Sequence, residues 1–207
     1  MAILHKATLT PSKLELIEAY LPSVAEFQIA AGPIEHLGAY RFDDPAGQVG
    51  IESHLVRIAD GRTIHLPLTY RNEALASAAS WKLGTLEHSV LGTRHVYDAV
   101  ADPVYLTELV RIIATGGEQS PLIVYLPDGE ALERDNVVFV TGSGSAADGP
   151  TIEVGPATRE GTVTAVSLGQ ASVIVRHAPR TGAASGATLT GTWPGSDESS
   201  VLAEVIA

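Results

Sequence analysis

The stretch QVGIESHLVRIADGRTIHLPLTYR, residues 48–71, decides the fold. Both of its halves alternate apolar and polar residues, and this period of two is typical of β-strands. Asp60 and Gly61 separate the halves as a dipeptide that favours a two-residue hairpin turn. A third strand-like run at 37–43 precedes them and ends at the turn sequence DPAG, residues 44–47. The sequence therefore predicts a three-stranded antiparallel meander.

The hairpin turn also predicts which side chains share a face of this sheet. If Asp60 and Gly61 are the only loop residues, the numbers of paired residues sum to 121, as 60 and 61 do. One face is then apolar and lies against the core, whereas the other is polar and solvated. The polar face carries four candidate ligand- or partner-binding residues: Glu52, His54, His65 and Arg71.

Three of these residues are of the types that bind metal ions. Two imidazoles and a carboxylate can bind a metal ion when their side chains converge. Only spacing supports convergence of Glu52, His54 and His65. We therefore expect a solvated polar face that holds neither a metal nor a cofactor.

A second candidate set lies in TLEHSVLGTRHVYD, residues 85–98, which reads as two short strands broken at Gly92. A carboxylate beside a histidine can transfer protons. However, adjacent residues of a strand point to opposite faces of the sheet. We therefore expect structural polar contacts around the bend, with a ligand- or partner-binding surface as the alternative. The candidates in this set are Glu87, His88, Arg94, Tyr97 and Asp98.

Two helices are predicted from capping signals. A strand at 2–9 gives way to a helix at about 11–21, with Thr10 as its N-cap and proline at its first position. A second helix occupies 103–115, because Asp102 and a following proline begin it and a pair of glycines ends it. Its apolar residues recur at helical spacing, which predicts one buried face.

The second half of the chain has a different pattern of residues. After residue 117, short apolar runs alternate with Gly, Pro, Ser and Asp clusters, a pattern typical of short antiparallel strands. We expect an α+β region at 1–117 and a β-rich region at 118–207, which can pack together as one unit. The segment SGSAADG at 143–149 lacks the Lys-Ser/Thr pair of a phosphate-binding loop and is expected to be a plain loop.

Composition excludes several classes of function. The 207 residues include 24 acidic and 13 basic side chains and no cysteine, which gives a formal net charge of −11. This charge opposes binding to nucleic acids and anionic membranes, and the absence of cysteine excludes disulfides and thiol catalysis. No apolar run is long enough to span a membrane or serve as a signal peptide, so a cytoplasmic location is expected.

Several stretches resemble a known family. AILHKATLTPSKLELIEAYLP at the start is followed in order by RFDDPAGQVGIESHLV, LPLTYRNEAL and GTLEHSVLGTRHVYDAVADPV. Together they resemble the N-terminal cap domain of actinobacterial maltokinases, and more closely the short proteins called maltokinase N-terminal cap-like. The late GTWPGSDESSVLAEV is similar to the sheet-closing end of those short proteins.

The resemblance implies both a fold and a setting. In maltokinases the cap precedes a two-lobed, eukaryotic-like kinase that phosphorylates maltose with ATP, in a route from trehalose to glycogen. The cap resembles cystatins, in which a helix packs on a curved antiparallel sheet. The catalytic residues of the family lie in the kinase lobes. Because no kinase-lobe motif is recognisable in these 207 residues, we assign no catalytic residue and no cofactor.

The expected function is accordingly a non-catalytic module that binds a partner or ligand in trehalose or glycogen metabolism. Two tryptophans and three phenylalanines leave few aromatic platforms for sugar rings, which favours a protein partner. The alternative is a small enzyme that acts on a sugar or sugar phosphate at one of the two candidate sets. A homo-oligomer with a structural role is a third reading.

Overall fold

Two six-stranded antiparallel sheets make up most of the chain. The computed structural model describes residues 8–125 and 131–206, so the predicted strand at 2–9 lies mostly outside the described residues. The first sheet has the order β1-β5-β6-β4-β3-β2, and a helix, α1, precedes its second strand. Its elements are β1 (Leu9–Thr10), α1 (Lys13–Tyr20), β2 (Glu35–Asp43), β3 (Gly50–Arg57), β4 (Thr63–Arg71), β5 (Lys82–His88) and β6 (Gly92–Asp98).

A second helix, α2 (Pro103–Thr115), connects the first sheet to the second half of the chain. The second sheet has the order β10-β11-β12-β14-β13-β9, and β7 and β8 form a separate hairpin. The remaining strands are β7 (Leu122–Tyr125), β8 (Ala131–Arg134), β9 (Phe139–Gly142), β10 (Ala157–Glu160), β11 (Val163–Leu168), β12 (Ala171–Arg180), β13 (Ala187–Thr192) and β14 (Ser200–Ile206). The predicted α+β class with a β-rich second half is confirmed.

The meander of β2, β3 and β4 is confirmed, but its predicted hairpin register is wrong by one residue. Paired residues of β3 and β4 sum to 120, as in Ile51 with Thr69. The loop has three residues rather than two, because Ile58 N–H donates to the carbonyl of Arg62 at 3.0 Å. Gly61 closes this loop at φ +89°, a left-handed conformation that favours glycine. Since side chains alternate with a period of two, the shift turns every side chain of β4 to the other face.

The first sheet is also covered on both faces, so the prediction of one solvated face is wrong. The face that carries Glu52, His54 and Leu66 packs against α1 and the short 3₁₀ turns at Leu21–Ser23 and Ala25–Phe27. We call it the α1 face. The opposite face, with Ile51, Leu55 and His65, packs against α2 and the second sheet, and we call it the α2 face.

The α1 helix begins two residues later than predicted. Ser12, not Thr10, is the N-cap, because its hydroxyl accepts the N–H of Glu15 at 3.2 Å. The Glu15 carboxylate accepts the N–H of Ser12 at 2.7 Å in return, which completes a capping box. By contrast, α2 has the predicted bounds, with Asp102 as N-cap and Gly116 as a left-handed C-cap.

The loop at 143–149 caps the C-terminal end of α2. Gly144 N–H donates to the carbonyl of Ile113, and Ala146 N–H donates to that of Ala114, each at 2.9 Å. A Cβ at Gly144 would lie 2.0 Å from the Ala114 oxygen, so only glycine permits this approach. The glycines of this segment therefore serve helix capping.

One hydrophobic cluster draws on both halves of the chain. Tyr40 and Leu55 of the first sheet, Leu109 of α2, and Val173 and Leu202 of the second sheet all belong to it and are buried. This shared core supports the expectation that the regions 1–117 and 118–207 fold as one unit. The boundary at residue 117 stays a prediction.

Candidate functional site

The observed register separates the first candidate set. Glu52 and His54 lie on the α1 face, whereas His65 and Arg71 lie on the α2 face. The prediction that Glu52, His54 and His65 share one solvated face is therefore wrong. His54 and His65 are also buried, at 2% and 0% exposure.

His54 is the centre of a polar cluster at the rim of the α1 face. Its Nδ1 lies 3.3 Å from His36 Nε2, and its Nε2 lies 3.2 Å from the hydroxyl of Tyr70. Glu52 approaches the same Nε2 at 3.6 Å and forms an ion pair with Lys13, whose ammonium lies over the Tyr70 ring. We call these five residues the His54 cluster.

Charge balance holds the His54 cluster together. Burial opposes ionisation of Glu52, yet Lys13 and His54 hold the pKa of its carboxyl well below the usual range. Burial and the neighbouring Glu52 raise the pKa of the Tyr70 hydroxyl well above its usual value. His36 reaches solvent, so the cluster connects a half-buried carboxylate to the surface through an imidazole pair.

The two ring nitrogens of His54 therefore face different side chains, His36 and Tyr70. Within residues 8–125 and 131–206, no group of three or more His, Asp or Glu side chains could hold a metal ion.

His65 joins the two sheets instead of forming a surface site. Its Nδ1 lies 3.1 Å from the carbonyl oxygen of Arg176 in β12, and its Nε2 lies 2.9 Å from the Tyr40 hydroxyl. His177 of β12 makes the reciprocal contact, with its Nδ1 3.1 Å from the carbonyl of His65 and its Nε2 3.0 Å from Thr164. A carbonyl only accepts, so both histidines carry a proton on Nδ1. Burial lowers the pKa of each imidazole to about 3, which keeps both neutral near pH 7.

Arg71 supports the start of α2. Its Nε and Nη2 donate to the two oxygens of Asp102, each at 2.7 Å. Asp102 also accepts the N–H of Val104 at 3.0 Å as the helix N-cap, and its side chain is fully buried. Arg71 was predicted to bind a ligand or partner, but its guanidinium is engaged in this bidentate ion pair and has a structural role.

Asp98 is the centre of a second buried network. Arg159 of β10 forms an ion pair with it, and Tyr20 of α1 donates to the same carboxylate at 3.3 Å. Burial raises the pKa of Asp98, while the Arg159 guanidinium opposes that rise. Tyr97, the neighbour of Asp98, accepts the N–H of Leu75 at 2.9 Å.

The other candidates lie at the tip of the β5–β6 hairpin. Glu87 accepts from the Thr93 hydroxyl at 2.8 Å, and Arg94 donates to the carbonyl of Leu91 at 2.8 Å. His88 Nδ1 accepts the N–H of Leu91 at 3.1 Å. These contacts support the expectation of structural polar contacts around the bend, and the structure does not bring this group together with Tyr97 and Asp98.

A polar groove of about 450 Å³ opens where β10 meets the first half of the chain. Trp81 and Arg159 line it, and Tyr20 connects it to the Asp98 network. Other lining residues are Ser23, Val24, Glu26, Ser80, Lys82 and Ala157. Sequence reasoning missed both β10 and this groove. No local signal could have found them, because Arg159 meets Asp98 across 61 positions of chain.

Comparison with known proteins identifies part of the chain. Residues 20–102 match the family model of the maltokinase N-terminal cap domain, a range that includes β2 to β6 and ends at the N-cap of α2. No curated protein matches the sequence. In the described ranges, no helix has the length and apolarity needed to cross a bilayer. The match confirms the resemblance to the maltokinase N-terminal cap domain over residues 20–102.

Proposed function

We propose that the chain is a non-catalytic binding module that contacts an enzyme of trehalose or glycogen metabolism. The observation that carries this proposal is the match of residues 20–102 to the maltokinase cap domain. In that family the cap accompanies a kinase rather than carrying the catalytic residues. A cap-type domain in this chain is therefore expected to act through its surface.

The internal contacts of the candidate residues support this proposal. Arg71 is paired with Asp102, Asp98 with Arg159, and His65 with the backbone of β12. Side chains that hold sheets and helices together are poorly placed to bind and release a substrate. Recognition is then expected to use exposed surface instead.

Affinity capture from the native host tests the proposal. The tagged full-length chain is the bait, and an unrelated protein of similar size and net charge is the control, because a charge of −11 attracts basic proteins without specificity. We expect an enzyme that acts on maltose, trehalose or glycogen to be enriched over the control. Equal recovery of such enzymes by both baits would contradict the proposal. Sedimentation of the purified chain would show whether a homo-oligomer forms.

The His54 cluster favours a second candidate function, that of a small enzyme acting on a sugar or sugar phosphate. Its carboxylate, imidazole pair and tyrosine are groups that carry general acid–base chemistry. Turnover of a sugar phosphate by the purified chain, abolished by His36→Ala, would establish this alternative. His36 is exposed, so its replacement is expected to leave the fold intact.

A further inference from the structure

We propose that the groove beside Trp81 and Arg159 binds an uncharged, polyhydroxylated ligand of about disaccharide size. Three separate segments of the chain build its walls: the 3₁₀ turns after α1, residues 80–82, and β10. Its volume of about 450 Å³ lies within the range of roughly 300–1,000 Å³ that is usual for small-molecule sites. This site goes beyond the proposed function, because it would bind a small molecule whether or not an enzyme partner docks.

Arg159 gives the groove a rigid polar floor. Its guanidinium lies between the rings of Phe27 and Trp81, 4.7 and 4.6 Å from their centroids. Nε donates to Thr164 at 3.1 Å, and Nη2 pairs with Asp98. Such fixed donors lose little entropy when a ligand binds.

Arg159 keeps donor capacity for a ligand. Nη1 donates weakly to Tyr20 at 3.4 Å, and Nη2 also lies 3.3 Å from His177. A guanidinium has five N–H groups. The contacts within residues 8–125 and 131–206 use four of these groups, which leaves one N–H of Nη1 on a side chain that lines the groove and is 6% exposed.

The charges at the groove decide the class of ligand. Asp98 neutralises Arg159, and Glu26 balances Lys82 across the lining. The groove therefore has no net positive charge to attract a phosphate or a carboxylate, and the chain as a whole carries −11. This balance of charges favours binding of an uncharged ligand over binding of an anion.

The remaining lining favours hydroxyl groups over an apolar ligand. Ser23, Ser80, Glu26 and Lys82 are exposed and present both donors and acceptors at the groove. Arg159 covers part of the Trp81 ring, but Trp81 is only partly buried and lines the groove, where its remaining indole surface can contact the C–H face of a sugar ring. A ligand with hydroxyl groups, which both donate and accept hydrogen bonds, matches this lining of polar side chains beside an indole.

Tryptophan fluorescence tests the proposal directly, because the chain has only two tryptophans. Trp193→Phe leaves Trp81 as the sole reporter in the full-length chain. Maltose and trehalose are titrated as neutral probes and glucose 6-phosphate as an anionic probe. We expect a saturable change of Trp81 emission with at least one neutral probe and no saturable change with the anion.

A blocking variant places the binding in the groove. Ser80→Phe fills the groove from its exposed rim, whereas Ser77→Phe adds the same ring at an exposed position of the same 3₁₀ segment, Ala76–Trp81, outside the lining. We expect affinity to fall at least tenfold in Ser80→Phe and to stay unchanged in Ser77→Phe, with equal melting temperatures. A saturable response to the anion alone, no response to either neutral probe, or equal affinity in both variants would each overturn the proposal.

Discussion

His65 and His177 exchange hydrogen bonds between the two sheets. Each directs its Nδ1 to a backbone carbonyl of the other strand at 3.1 Å, His65 to that of Arg176 and His177 to that of His65. Both side chains are fully buried. The exchange satisfies carbonyls on β4 and β12 where the two strands approach each other.

This pairing predicts that acid destabilises the protein. Burial lowers the pKa of both His65 and His177 to about 3, whereas a histidine in the unfolded chain titrates near 6.5. Below about pH 6.5 the unfolded chain therefore binds protons that the folded chain does not, and the free energy of unfolding falls as pH falls. Two such groups give a slope of at most about 2.7 kcal/mol per pH unit. Urea unfolding between pH 7 and 5, above the range of most carboxylates, measures it.

His177→Asn is the control for this slope. Asparagine can keep an N–H directed at the His65 carbonyl but does not titrate. The variant is expected to be less stable at pH 7, because it loses the contact with Thr164, and to have about half the pH dependence of the original chain. An unchanged pH dependence would show that His177 is not responsible.

Arg71→Ala is expected to lower the free energy of unfolding by about 3 kcal/mol or more, because it leaves the buried Asp102 carboxylate without its charge partner. Arg71→Lys is expected to cost less, since one donor remains. Arg57→Ala removes a surface pair with the exposed Glu35 and serves as the control, with a urea midpoint close to the original. A normal midpoint in Arg71→Ala would instead favour the sequence-based reading of Arg71 as a binding residue.

Residues 1–117 alone are expected not to fold cooperatively. The cluster around Leu55 and Leu109 is completed by Val173 and Leu202, and its loss would expose a large apolar surface. Circular dichroism during thermal unfolding of this fragment checks the expectation. A sharp transition near that of the full chain would show that the predicted boundary at residue 117 separates independent domains.

The chain is expected not to bind ATP. Its glycine-rich segment at 143–149 lies at the C-terminus of α2, where Gly144 caps the carbonyl of Ile113. That end of a helix carries partial negative charge and repels phosphate. Calorimetric titration with ATP and Mg²⁺ should give no saturable heat, and micromolar binding would contradict this account of the segment.

The elements that the sequence predicts well are those with local signals. The cap residue Asp102 and the glycine at 116 mark both ends of α2, and the alternating pattern marks β3 and β4. The predicted register of β3 and β4 was wrong because the Asp60-Gly61 dipeptide does not distinguish a two-residue loop from the observed three-residue loop. That single residue moved His65 from an expected surface site into the contact between the sheets.

The long-range contacts of the candidate sites could not be predicted. Arg159 reaches Asp98 from a four-residue strand with an unremarkable pattern, and His177 reaches the carbonyl of His65 across 112 positions. Only the packing of the second sheet against the first brings these residues together. The sequence does place Glu52 and His54 on one face, because their relation depends on strand period alone.

Calorimetric titration of the purified full chain into the enzyme of trehalose or glycogen metabolism that affinity capture recovers tests the central claim most directly. We expect saturable binding of the chain to that enzyme, and no conversion of maltose or a sugar phosphate by the chain alone. No saturable binding, or turnover of such a sugar by the chain itself, would contradict the account.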